Sequence, residues 1–247
     1  MNLPENMQNS PEFDKLMAKP HSNNFIVDIG ASYNSHFLKY PCRGLLFDID
    51  STKIMRIPND NLYHKINKKI TPENVCSVLN EFNVPKNFKA LNLDIDSYDL
   101  FVLINLLKNY QPEIIITETN EKIPPPINFS VIYNETIKWE IGHLYGYSIN
   151  CLIPILEHFN YKIHAVEFAD VILVKGSPGK YDLHSIYKKE AAKWLGTCGW
   201  NKDVEYWQKM KYEDLIEEII HFFPKNKRNN FVIGEECNTL ISEYLKN

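Results

Sequence analysis

The sequence predicts a three-layer α/β sandwich built on a mostly parallel sheet, with one antiparallel edge strand and a helical C-terminal extension. Three observations predict it. Apolar runs ending in acid or amide alternate with segments of helical period. The stretch KALNLDIDSYDLFVLINLLKNYQPEIIITETN (89–120) reads as one complete βαβ unit. The alternation then closes on two apolar runs joined by a tight turn. Parallel strands buried on both faces read as near-continuous apolar runs, so a break into carboxylate marks where each strand leaves the sheet.

The elements follow in order. Residues 1–24 are polar, interrupted by Pro4, Pro11 and Pro20, and read as an arm with room for a short helix at 12–18. FIVDIG (25–30) and GLLFDID (44–50) are strands; the 31–43 segment between them is enough for a turn and two turns of helix, the least a parallel crossover needs. A third strand is expected at 62–70. Thr71 then suits an N-cap, Pro72 the first helical position, and Glu73 and Asn74 the first turn of a helix running to Phe82. In the βαβ unit, period-two alternation puts Asp94 and Asp96 on one face of the first strand, and Glu118 and Asn120 on one face of the second. Asp99 suits the start of the helix between them, where the dipole favours negative charge.

The 121–148 loop is too long and proline-rich to be a plain connection, and such loops carry function. A helix at 148–159, with Ile149, Leu152, Ile153 and Leu156 on one face, leads into a hairpin of 161–168 and 170–175. From Ser177 the chain is charged, aromatic and helical in period, with Trp194, Trp200 and Trp207 spaced along 183–247. It reads as a cap packing its rings on the main domain. The expected organisation is therefore an arm (1–24), an α/β domain (25–176) and a helical cap (177–247).

Composition narrows the function. At 247 residues and 44% hydrophobic the chain can bury a full core, and a net charge of -4 leaves no basic stripe of the kind that draws affinity from phosphate backbones. Five cysteines without CxxC spacing read as reduced thiols, with neither a zinc site nor a disulfide framework. The N-terminus has no apolar signal core, and no run approaches the roughly 20 apolar residues of a membrane span. A cytoplasmic protein without a membrane partner is expected.

FIVDIGAS matches the strand-then-glycine turn that brings backbone amides close to a ligand. A dinucleotide site wants G-x-G-x-x-G, and here Gly30 is followed by Ala31, Ser32, Tyr33, Asn34 and Ser35. A ligand without pyrophosphate needs less clearance, and Asp48 or Asp50 at the end of the second strand can hold a ribose diol by charge-assisted hydrogen bonds. The competing reading is that these acids only terminate a strand.

In order, FIVDIGAS, GLLFDID, KITPENV, LNLDIDSYDLFVL, PEIIITETN, YGYSINCLIPILEHFNYKI and DVILVK resemble the class I S-adenosylmethionine-dependent methyltransferases, and within them the FkbM-like group, over 24–176. The resemblance implies a Rossmann-like fold and methyl transfer to a hydroxyl of a sugar or other small molecule. It implies that Asp28, Gly30, Ala31, Ser32 and Asp48 hold the methionine and ribose parts of S-adenosylmethionine.

Methyl transfer to oxygen needs an acceptor that is partly deprotonated. A divalent cation such as Mg2+ or Mn2+ lowers the acceptor's pKa and orients it. Hard oxygen ligands without cysteine suit such an ion, with Asp96, Glu118 and Asn120 as candidate ligands and Asp94 and Asp96 as catalytic carboxylates. Without a metal, Asp94 caps its strand and Glu118 pairs with a nearby cation. His143 in the long loop is the alternative base, and Tyr133, Trp139, Tyr145 and Tyr147 form either an acceptor wall or the loop's own small core. Two other functions stay open: a methyltransferase-like scaffold without cofactor, and a nucleotide-dependent oxidoreductase.

Overall fold

The computed structural model describes residues 10–33, 35–134, 144–167, 169–191, 206, 209–223 and 225–246. Nine strands are present among them: β1 (Phe25–Ile29), β2 (Arg43–Asp48), β3 (Tyr63–Asn67), β4 (Ala90–Leu93), β5 (Ile114–Glu118), β6 (Phe129–Val131), β7 (Tyr161–Glu167), β8 (Asp170–Lys175) and β9 (Phe231–Ile233). Seven form one sheet in the order β3-β2-β1-β4-β5-β8-β7. The five strands from β3 to β5 run parallel, β8 is antiparallel to β5, and β7 is antiparallel to β8. The reversed strand therefore lies one place in from the edge, because the tight β7–β8 hairpin folds β8 back between β5 and β7. The fold is the predicted α/β sandwich with a mostly parallel sheet.

Alternate strand residues feed two core layers. Ile26, Leu46, Ile114 and Ile172 face α1 (Pro11–Met17), a 3-10 turn at His36–Lys39 and α2 (Ser51–Arg56). Val27, Phe47, Leu93 and Ile115 face α3 (Val75–Glu81), α4 (Asp99–Leu107) and α5 (Leu152–Phe159). On α4 eight of nine residues are buried, which is why its sequence reads as apolar almost all round. The N-terminal stretch is not all arm: α1 buries Phe13, Leu16 and Met17, the i, i+3, i+4 stripe of an amphipathic helix.

Several local expectations change. The β1–β2 crossover holds only the 3-10 turn, not two turns of helix. The unanticipated α2 is capped by Asp50, whose Oδ1 accepts from Thr52 N at 2.8 Å. Thr71 sits one turn before α3 and forms a reciprocal pair with Asn74: Thr71 N donates to Asn74 Oδ1 at 2.8 Å, and Asn74 N donates to Thr71 Oγ at 3.2 Å.

The C-terminal segment carries α6 (Leu183–Ala191), α7 (Tyr212–Phe222), β9 and α8 (Glu235–Lys246). It is not purely helical, since β9 pairs antiparallel with β6 of the long loop. Phe129 of β6 stacks on Phe223 at 5.4 Å, and α8 inserts Cys237 and Ile241 into the main core while Tyr244 meets Phe101 at 4.5 Å. Three-residue strands are too short to announce themselves by periodicity. Trp139, Trp194, Trp200 and Trp207 lie outside the described residues.

Candidate functional site

The carboxyl ends of β1, β2, β4 and β5 meet at one side of the sheet. Gly30 leaves β1 with φ of +95°, and a Cβ there would lie 1.6 Å from the Asp94 carbonyl oxygen. The glycine is thus required by the close approach of the turn to the end of β4. The amides of Gly30 and Ala31 both donate to the Phe47 carbonyl, at 2.9 and 2.8 Å, and the Ala31 side chain sits in the α1-side core. Neither amide is presented to a ligand as the turn signature suggested, although Gly30 still lines the cleft. Asp28 also faces inward. It is fully buried, Ser35 Oγ donates to its Oδ2, and Asn92 Nδ2 donates to its Oδ1 at 2.8 Å. Burial pushes its pKa up to about 6. Asp28 anchors the 30–35 turn, within which Ser35 N donates to the Ser32 carbonyl at 3.0 Å.

Outside these strand ends lies a cleft of about 590 Å³. Ile29, Gly30 and Phe47 line it beside Asp48, Ile49, Asp50 and Lys53 from the β2 end, Lys68 to Ile70 after β3, and Asp94 to Tyr98 after β4. Asp48 Oδ1 accepts from Asp50 N at 2.6 Å, and its Oδ2 lies 4.0 Å from Lys53 Nζ. Burial raises its pKa. Asp50 is exposed and occupied as the α2 cap, which holds its carboxyl below the ordinary range. Of the two acids considered for a ribose, Asp48 is the one held in place by a backbone amide. Ile49 is 65% exposed at the rim, an apolar surface suited to a flat ring.

Asp94 and Asp96, which line this cleft, and Glu118 at the end of β5 each offer a carboxylate oxygen, and the three oxygens lie within 4.8 Å of one another. Asp96 has φ of +56°, and its loop is braced by buried Asp99, which accepts from Ile95 N at 2.8 Å and Ser97 N at 2.9 Å. Asp99 does start α4, as its position suggested. Burial pushes its pKa up to about 7. Asp94 and Glu118 are held well above the carboxylate range, first by burial and then by like charge: Asp96 acts on Asp94, and Asp94 on Glu118. Among the described residues no donor bonds to these three carboxylates and no cation pairs with them within 4.0 Å. Three uncompensated carboxylates, with no thiol or imidazole among them, are a donor set that fits a hard divalent cation.

Asn120 does not extend this set. It is 1% exposed, its Nδ2 donates to the Tyr145 carbonyl at 2.9 Å and its Oδ1 accepts from Lys122 N at 3.1 Å, so it pins the loop that follows β5. Tyr147 is a core residue, its hydroxyl 2.9 Å from Thr117 Oγ. Tyr133 packs edge-on against Tyr98 at 4.8 Å. His143 lies outside the described residues. The sequence analysis does not single out Asp170, Glu121 or Lys122, and it places Tyr145 only in an acceptor wall or the loop's own core. Asp170 is the register partner of Glu118, and burial, helped by Glu167, pushes its pKa up to about 7. Lys122 lies 2.7 Å from Glu121 and 2.6 Å from the Tyr145 hydroxyl, and its charge lowers the pKa of Asp96 against the larger effect of burial. Only the β5–β8 register could have revealed Asp170, and register is not written in either strand alone.

A pH dependence follows. Asp28, Asp99 and Asp170 titrate near 6 to 7 in the fold but near 3.9 when unfolded, so the folded state binds more protons between those values. Their stabilising contribution is full at acid pH and is lost as pH rises through about 7. Half-buried His36, whose pKa burial lowers, opposes the trend, while Asp48, Asp94, Asp96 and Glu118, whose pKa values burial raises, act with it. The melting temperature should therefore fall between pH 5.5 and 8, and a profile that rises over that range would contradict the burial described.

No family model matches the chain, and no curated protein matches it. Among solved structures it is similar to M. capricolum TrmK in complex with S-adenosyl-homocysteine, at 11% identity over 97% of each chain with a TM-score of 0.45. It is also similar to the MycE methyltransferase of the mycinamycin pathway in complex with Mg and SAH, at 11% identity over 73% of this chain and 54% of that one, with a TM-score of 0.43. A Streptococcus agalactiae protein of the NADB-Rossmann superfamily matches at 11% identity over 97% and 95% of the two chains, with a TM-score of 0.41. Likenesses at this level carry no argument about activity, so the functional reading rests on the site itself.

Proposed function

We propose that this chain is an S-adenosylmethionine-dependent methyltransferase that methylates a hydroxyl of a sugar or other small molecule, with a divalent cation at Asp94, Asp96 and Glu118. One observation carries the reading: a single cleft is lined by a ribose-type acid at the end of β2 and by Asp94 and Asp96 after β4, whose carboxylates cluster with that of Glu118 at the end of β5. Ligands of open α/β sheets bind at that side of the sheet. The cation, when bound, supplies acceptor acidification and charge neutralisation. The chain's own residues do the rest. Asp48 holds the ribose, Ile49 covers the flat ring, and Gly30 lines the cleft at the end of β1. S-adenosylmethionine, when bound, would supply the electrophilic methyl group, and Asp94 or Glu118, at the ends of β4 and β5, would take the proton of the acceptor hydroxyl.

A dinucleotide is disfavoured by a specific contact: the two amides after β1 that would face a pyrophosphate are bonded to the Phe47 carbonyl. The reversed β8 inserted between β5 and β7 also departs from the dinucleotide order of strands. Calorimetric titration with S-adenosylmethionine, S-adenosylhomocysteine and NAD separates the readings, with binding of the first two and not the third expected. Binding of none would leave the scaffold reading. Asp48→Ala should weaken cofactor binding by about 1.5 to 3 kcal/mol, roughly ten- to a hundredfold, through loss of charge-assisted hydrogen bonds. Unchanged affinity in that variant would remove Asp48 from the ribose.

A further inference from the structure

A second cleft, of about 650 Å³, lies at the opposite end of the sheet, where β4 and β5 begin and β8 ends. Its floor is apolar, from Leu16, Ile114 and Val174, and its rim carries Lys19, Lys162 and Lys175 against one carboxylate, Glu113. That carboxylate is already engaged by His21 at 3.3 Å, as Glu12 is by His164 at 3.2 Å. None of the three lysines has a carboxylate within 4.0 Å among the described residues. Yet one of them is held in place: the Lys175 ammonium stands 5.0 Å from the Tyr161 ring centroid. Behind the rim, Lys89 is 5% exposed and donates at 2.7 Å to the Lys19 carbonyl, with no carboxylate to answer its charge.

In a chain of 27 basic and 31 acidic residues, three exposed lysines line one cleft against a single carboxylate, with a fourth, Lys89, buried behind it. A cleft lined mainly by one sign of charge focuses its field and concentrates ions of the opposite sign. Lysine ammonium groups are point charges that bind phosphate oxygens from any direction, and the volume over an apolar floor is that of a nucleotide-sized ligand. We propose that this cleft binds a phosphate-bearing anion of the pyrophosphate class, separately from the carboxylate-lined cleft across the sheet.

The test is calorimetry on the full chain at low ionic strength with two probes, inorganic pyrophosphate and ADP. At least one should bind, the tighter of the two showing whether the phosphates are free or carried on a nucleoside. Binding should weaken about tenfold or more in Lys162→Glu and in Lys175→Glu, through loss of one attraction and gain of one repulsion. Lys108→Glu, an equal charge change just past the end of α4, should bind as the parent does, and S-adenosylmethionine binding should be the same in all of these variants. Failure of both probes to bind at millimolar concentration, or binding undiminished in both rim variants, overturns the proposal.

Discussion

Glu118→Gln and Asp96→Asn are each expected to lower turnover on a proven acceptor by two or more orders of magnitude, roughly the range for loss of a metal-held or general-base group. Affinity for S-adenosylmethionine should stay nearly intact. The asymmetry arises because the cleft separates its functions: Asp48 and Ile49 lie at the β2 end, while Asp94, Asp96 and Glu118 gather at the ends of β4 and β5. Both substitutions keep shape and remove charge. Each should also abolish Mn2+ binding by calorimetry, a readout independent of the acceptor. Chelation should suppress turnover, and Mg2+ or Mn2+ should restore it. Turnover that survives EDTA but collapses in His143→Ala would transfer the base to the loop histidine. Turnover untouched by both would make the acid cluster structural.

Gly30→Ala should have the largest effect on stability. The added Cβ would meet the Asp94 carbonyl oxygen at 1.6 Å, and φ of +95° is strained for any side chain. Relief requires β1 and β4 to separate at their carboxyl ends, breaking the bond from Asp94 N to the Ile29 carbonyl and displacing Asp94. A cost of more than about 4 kcal/mol is expected, enough to unfold a marginal domain. Gly146→Ala is the control. Its φ is +54°, but the nearest atoms to the new Cβ are 3.9 Å away, so only backbone strain of about 1 kcal/mol applies. Urea denaturation measures both. Equal stability of the two variants would refute the close-approach account of Gly30.

Much of this protein is legible in the chain because its signals are local. The apolar runs of β1, β2, β4 and β5 and the breaks into acid after them follow from burial on both faces of a parallel sheet. Those breaks alone put Asp48, Asp94, Asp96 and Glu118 at one end of the sheet. The Asp50 cap of α2 is equally local, since an acid two residues before Thr52 suits an N-cap as well as it suits a ribose.

Tertiary structure decided what each of those residues does. Whether an amide or carboxylate faces a ligand depends on which partner reaches it first, and those partners are distant in sequence. The Phe47 carbonyl takes the amides of Gly30 and Ala31, Asn92 and Ser35 take Asp28, and the Tyr145 carbonyl takes Asn120. Asp170 joins the acid-rich end only through the register of a reversed strand, and β6 meets β9 across about a hundred residues of chain. Periodicity determines which face a residue occupies, since it is a property of one strand; the competition for hydrogen bonds and charge at the strand ends is a property of the assembled sheet.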